Sequence, residues 1–301
     1  MTEALYRAVV AAGRAPSAHN AQPWRWRLAG AELDLFADPD RMLGVPDPAG
    51  HLATVSCGAA LHHGRLSLAA QGWQVTVDRR PASTGSRHLA RLHIDGPAAA
   101  SPGTARLARA IGRRHTDLRP LTGRPIEPRE LRTVVRAFNS HDIRVHILRP
   151  DQILELAVAA ARSSAAGPDE EQWRDQLALW TGADRIAGAV DRVRLPGQQG
   201  EHDRAATFAV LHGRGDHAKD WLCAGEALSA GWLVATQYGM SLMPFSAPIE
   251  QDRWRETLRH VAPDLDHPYV MMRLGRHETP AVTPPTPRLN VEQIIERVQA
   301  R

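Results

Sequence analysis

The sequence predicts a mixed helix-and-strand fold in which one helix-strand unit occurs twice in degenerate form. Three observations carry this expectation. Residues 58–75 (GAALHHGRLSLAAQGWQV) align without a gap with residues 225–242 (GEALSAGWLVATQYGMSL), so that Gly58, Ala60, Leu61, Gly64, Leu66 and Gly72 meet Gly225, Ala227, Leu228, Gly231, Leu233 and Gly239. Leu5-Tyr6-Arg7-Ala8-Val9-Val10 matches Leu131-Arg132-Thr133-Val134-Val135-Arg136 in pattern. Both of these segments precede a turn and then a strand-like run, Trp24 to Leu28 in one case and Ile143 to Leu148 in the other.

Taken in order, Leu5, Ala8, Val9 and Ala12 recur at helical spacing, and the chain then turns through Ala15-Pro16-Ser17-Ala18-His19-Asn20-Ala21-Gln22-Pro23 before the first strand. The 58–71 segment reads as a helix of about four turns closed by Gly72, with a short strand behind it. Gly64 and Gly231, among alanines, suggest a close approach of neighbouring backbones. In the second copy the turn after the first helix is only Phe138-Asn139-Ser140-His141. Residues 150–222 form an insertion without a counterpart in the first copy, and its polar, glycine-containing 181–204 part reads as a long loop of the functional or mobile kind. Tyr269 to Leu274 reads as a strand ending at Gly275, and prolines 280, 284, 285 and 287 make 279–287 a stiff extended arm. The expected division is therefore 1–105 for the first copy and 106–301 for the second.

Composition narrows the function classes. The 301 residues are 43% hydrophobic and 23% charged, ordinary for a folded chain. No apolar run is long enough for a membrane span and no secretory pattern opens the chain, so a cytoplasmic protein without membrane partners is expected. The charge of +4 is spread over scattered arginines, which argues against a nucleic-acid groove. Cys57 and Cys223 read as small buried thiols. The 15 histidines, including the pairs His62/His63 and His212/His217, lack partners at ligand spacing; they read as solvated or locally bonded, and no metal is expected.

The 15–24 stretch combines a rigid turn with small polar side chains and can offer donors and acceptors to a flat, uracil-like edge. It resembles the Pro-Ser-x-x-Asn-x-Gln-Pro-Trp turn of the nitroreductase-like FMN proteins. Arg113-Arg114-His115-Thr116 resembles the Arg-Arg-Ser-type segment with which one subunit of those homodimers holds the FMN phosphate, while the turn comes from the other subunit. Each copy in this chain keeps what the other lacks, which resembles a dimer fused into one polypeptide and most of all the Acg-type branch. The resemblance implies an α+β nitroreductase-like fold with central sheets flanked by helices, one FMN, and either a monomeric pseudo-dimer or a weak homodimer.

It also implies site residues. Pro16, Ser17, Ala18 and Asn20 would meet the ring; Arg113, Arg114 and Thr116 would grip the phosphate, with Leu118 standing where a basic residue is usual. Arg288, in Pro287-Arg288-Leu289-Asn290, matches a late basic motif, and Arg276 is a weaker candidate. The main chain of Ser246 or Ala247 would donate to flavin N5. No catalytic side chain is assigned, because the redox chemistry belongs to the flavin. The expected activity is NAD(P)H-dependent reduction of nitroaromatics, quinones or similar flat acceptors. The alternatives are an FMN-binding storage, sequestration or stress protein whose lid covers the flavin, and a protein that has lost the cofactor.

Overall fold

A computed structural model of the chain describes residues 1–44, 47–79, 87–117, 121, 124–153, 155–156, 205–245, 252–278 and 286–298. They fall into two compact units that are not continuous in sequence. One comprises Met1–Arg114, Asp216–Gln237 and Thr286–Arg301; the other comprises His115–Gly215 and Tyr238–Pro285. These units are set by packing and cut across the linear division at 105/106, which describes a repeat in sequence.

In the first unit, α1 (Thr2–Ala12) leads through the 13–23 turn to β1 (Trp24–Ala29) and its hairpin partner β2 (Glu32–Ala37). Gly30 at φ +59 makes the tight reversal, a conformation open to glycine without a Cβ penalty. Then come α2 (His51–Ala70), β3 (Trp73–Arg79), β4 (His88–Pro97) and α3 (Pro102–Ile111). The sheet order is β3-β4-β2-β1, extended by the late strand β9 (Ile295–Arg297), which runs parallel to β1. Trp24, Trp26, Leu33 and Leu35 are wholly buried on this sheet, against Leu5, Ala8 and Val9 of α1 and Leu61 and Leu68 of α2.

The second unit repeats that plan. It holds α4 (Pro128–Phe138), β5 (Arg144–Ile147), β6 (Thr207–Gly213), β7 (Ser241–Phe245), α6 (Asp252–Val261) and β8 (His267–Gly275). Read as β7-β8-β6-β5, its four-stranded sheet has the order of β3-β4-β2-β1, and every neighbouring pair is antiparallel in both. The duplication is thus written in topology as well as in sequence. It also corrects the limits of the insertion: β6 is the counterpart of β2, so the added segment lies between β5 and β6 rather than over the whole of 150–222.

The matching helix of the second copy, α5 (Ala218–Gln237), belongs to the first unit, where it packs on α2. Both helices have 20 residues, longer than the four turns expected, and the glycines two residues beyond them, Gly72 and Gly239, are left-handed at φ +86 and +66. The backbones meet at Gly58 and Gly225, not at Gly64. A Cβ on Gly58 would strike the Leu222 carbonyl oxygen and stand 3.0 Å from Gly225 Cα; one on Gly225 would strike the Val55 carbonyl oxygen and stand 2.9 Å from Gly58 Cα. At Gly64 the nearest atom would be an ordinary 3.7 Å away. Val55 and Leu222 are equivalent positions in the alignment, as are His62 and Ser229, whose Nδ1 and Oγ lie 2.8 Å apart. Equivalent residues meeting each other is the signature of a two-fold, isologous contact, here between two copies within one chain.

Candidate functional site

The 13–23 turn is held in a conformation that its residues would not choose alone. His19, Asn20 and Gln22 have φ of +49, +58 and +51, left-handed values that cost a non-glycine residue about 1 kcal/mol or more each. Local bonds fix part of it: the Gln22 amide donates to Ser17 Oγ (3.0 Å), and the Ala18 amide donates to Ser56 Oγ (3.1 Å), which itself donates to the Leu52 carbonyl of α2 (2.7 Å). Distant bonds fix the rest. Asn20 Nδ2 donates to the Pro287 carbonyl (3.0 Å), Gln22 Oε1 accepts from the Leu289 amide (2.9 Å), and Arg288 Nη1 donates to Asn20 Oδ1 (2.6 Å). The proline-containing arm therefore ends docked on this turn, with Arg288 aimed by Asn20.

Arg113 and Arg114 leave α3 on backbone bonds to the Ala110 carbonyl. Arg113 is exposed, whereas Arg114 is only 8% exposed, its guanidinium 4.5 Å from the centre of the Trp232 ring. Cation–π contact takes up one face of the guanidinium but not its N–H donors. Among the described residues nothing accepts from Arg114 Nε or Nη1. Burial, and then the charge of Arg288, pushes Arg114 down to about 9; burial, and then Arg14, also lowers Arg288. Arg114, made costly by desolvation and by Arg288 and with two donors unspent, lies in one compact unit with Arg288, itself lowered by burial and by Arg14, a concentration of positive charge that an anion would relieve. Forked donors of this kind suit a phosphate monoester.

His62 and His63, expected as solvated or locally bonded, are inside. His63 is fully buried; its Nδ1 lies 3.3 Å from the Ala11 carbonyl, and among the described residues Nε2 has no partner. Burial lowers both rings, His62 to about 3 with Arg65 as the second cause, and His63 well below the usual range with His62, Arg114 and Arg288 adding to it. The signal was present: α2 is small or apolar on every side from Ala53 to Leu61, so a histidine in its middle has no wet face.

The remaining expected residues divide as follows. Pro16, Ser17, Ala18, Asn20, Arg113, Arg114 and Arg288 all belong to the first unit, whereas Thr116 belongs to the second. Ser246 and Ala247, Leu118, the 181–204 segment and residues 279–285 of the arm lie outside the described residues. Arg276 is spent within the second unit, on Glu130 Oε2 (2.9 Å) and the Tyr238 carbonyl (2.7 Å). Cys57 and Cys223 are buried, and Cys57 Sγ donates to the Pro23 carbonyl at 3.2 Å. No helix among the described residues is long and apolar enough to cross a membrane.

No family model matches the chain. Among curated proteins, "Putative NAD(P)H nitroreductase Rv3131" of Mycobacterium tuberculosis is 31% identical, the alignment covering 98% of this chain and 91% of the relative. "Putative NAD(P)H nitroreductase acg" of the same organism is 29% identical, over 97% and 95%. Among solved structures, the FMN and NADPH-dependent nitroreductase NfnB from sphigopyxis sp. strain HMH is 16% identical with a TM-score of 0.46, covering 63% of this chain and 97% of that one. On the near full-length match to Rv3131, together with a topology that occurs twice, the chain belongs to the nitroreductase-like family of Rv3131 and Acg.

Proposed function

We propose that the protein binds one FMN and is an NAD(P)H-dependent oxidoreductase acting on nitroaromatics, quinones or similar flat acceptors. The observation that carries this reading is the buried Arg114 guanidinium, two of whose nitrogens have no acceptor among the described residues, in the same compact unit as Arg288 and the strained 16–22 turn. That relatives bear the name NAD(P)H nitroreductase supports the reaction class.

The residues present fit the cofactor. Arg114 and Arg288 would hold its phosphate, with Arg113 at the rim, and the phosphate's charge would offset the cationic repulsion that bears on the buried Arg114 and the half-buried Arg288. Asn20 acts through Arg288. Its amide already binds Arg288 and Pro287, leaving one hydrogen and one lone pair for the ring, beside Pro16, Ser17 and Ala18. Thr116 and the main chain of Ser246 or Ala247 complete the proposed set. When bound, the flavin supplies hydride and electron transfer; the chain binds it, orients it and decides what stacks on it. A single chain carrying both halves of the site is proposed to work as a monomeric pseudo-dimer.

The test is spectroscopic. Purified protein, or protein incubated with FMN, is expected to show flavin absorption that NADH or NADPH bleaches and a quinone restores. A flavin that nicotinamide cannot bleach would replace this reading by the storage one. Protein that takes up no FMN would overturn both.

A further inference from the structure

His63 stands in the middle of α2, in the same compact unit as the cations that the cofactor reading assigns to the phosphate and within their electrostatic reach. Its orientation is fixed by one bond. A carbonyl oxygen only accepts, so the Nδ1 facing Ala11 O at 3.3 Å carries the proton, and the neutral ring turns a bare lone pair on Nε2 inward. Nothing among the described residues donates to that lone pair. The ring is 0% exposed, so bulk solvent does not reach it.

The charges around it have one sign. From the segment after α3 Arg114 bears on it, and from the segment docked on the turn Arg288; His62, its neighbour on α2, is itself held neutral by burial and would add only further positive charge if protonated. Across α1 the nearest group is the Ala11 carbonyl, while Arg14, just beyond α1, bears on Arg288. His62 is turned to Ser229 of α5. Arg114 contributes two further buried nitrogens without acceptors. Three buried nitrogens on two side chains are thus unspent, in a field that only negative charge can relieve.

Resting on the FMN reading, we infer that His63 is a further phosphate-binding residue, and that it takes up a proton when the dianionic phosphate enters beside Arg114 and Arg288. Free protein holds His63 neutral because a third cation there would be repelled and desolvated. The phosphate reverses both effects. The proton comes from solvent and adds to Nε2; Nδ1–H stays on Ala11, and Nε2–H donates to a phosphate oxygen. No other bond is made or broken. The consequence is a phosphate affinity linked to pH, falling as pH rises past the titration of His63 in the complex, with no such linkage for a flavin lacking the phosphate.

The experiment is calorimetric titration of the full-length protein with FMN and, separately, with riboflavin at pH 7.5, in buffers of different ionisation enthalpy. Uptake of close to one proton per FMN and none per riboflavin is expected. His63→Phe should weaken FMN roughly ten- to a hundredfold, the range for one charge-assisted hydrogen bond, and leave riboflavin unchanged. His63→Gln, which can donate but not titrate, should abolish the proton uptake with a smaller loss of affinity. FMN bound without proton uptake by the unaltered protein would overturn this inference and leave the cofactor reading standing. Binding of riboflavin but not FMN would also overturn it, and binding of neither would overturn both.

Discussion

The turn after α1 and the turn after α4 occupy the same place in two copies of one unit, yet they do different work. Residues 13–23 carry three left-handed side-chain-bearing residues and hold the 287–289 segment by its backbone and by Arg288. Residues 139–143 carry two, His141 and Asp142, and close on themselves through the Ser140–Ile143 bridge, with Asn139 Oδ1 accepting from the Val145 amide. The strands that follow have the same order in both sheets. One scaffold therefore supports a turn that holds a distant segment in one copy and a plain connection in the other. The difference lies in loop length and in the distant segment available to bind, not in the framework.

The framework itself is the most sensitive point. If the duplication is maintained at the α2–α5 crossing, Gly225→Ala should cost about 2–3 kcal/mol, since the methyl meets backbone rather than a movable side chain. Gly64→Ala, with room around it, should be neutral or stabilising by up to about 1 kcal/mol. Chemical denaturation of the two variants checks this, and equal losses would remove the crossing from the argument.

The proposed phosphate site can be tested through its buried cation. Arg114→Met keeps the cover over Trp232 but removes the charge. It should weaken FMN retention by about 1.5–3 kcal/mol while raising the stability of the cofactor-free protein by about 1–2 kcal/mol, because an unpaired buried charge has been deleted. Denaturation with and without FMN measures both, and parallel losses would mean that Arg114 is only structural.

Acid sets the next scale. His62, at about 3 when folded against 6.5 unfolded, leaves the unfolded chain binding the extra proton between these values. Its contribution is therefore complete above pH 6.5 and is lost as pH falls, at about 1.4 kcal/mol per pH unit; His63, lowered in the same direction, adds to that slope. His62→Asn, which keeps a hydrogen-bonding side chain against Ser229, should flatten the stability–pH profile by about one proton. An unchanged slope between pH 6 and 4 would argue against the burial of this ring.

The smallest effect compares the turns directly. Asp142→Gly, relieving φ +65, is expected to stabilise by about 0.5–1 kcal/mol without touching flavin binding. Asn20→Gly relieves φ +58 but removes the acceptor of Arg288, and should lower FMN affinity. Were both variants to bind FMN equally well, the two turns would be equivalent after all.

The duplication, two helices each followed within two residues by a left-handed glycine, and the strands after each turn were legible in the sequence, because glycine geometry and hydrophobic periodicity act over a few residues. The family resemblance also brought forward Asn20, Arg114 and Arg288. The sequence did not reveal that Gly58 and Gly225, rather than Gly64, carry the crossing, nor that Arg288 rests on Asn20, nor that Arg114 and Arg288 bear on His63. Close approach, burial and charge repulsion are properties of groups 50 to 270 positions apart, and periodicity has no reach over such distances. Only the tertiary structure decided which cations are left without an acceptor, since the cost of a buried charge depends on what is folded around it.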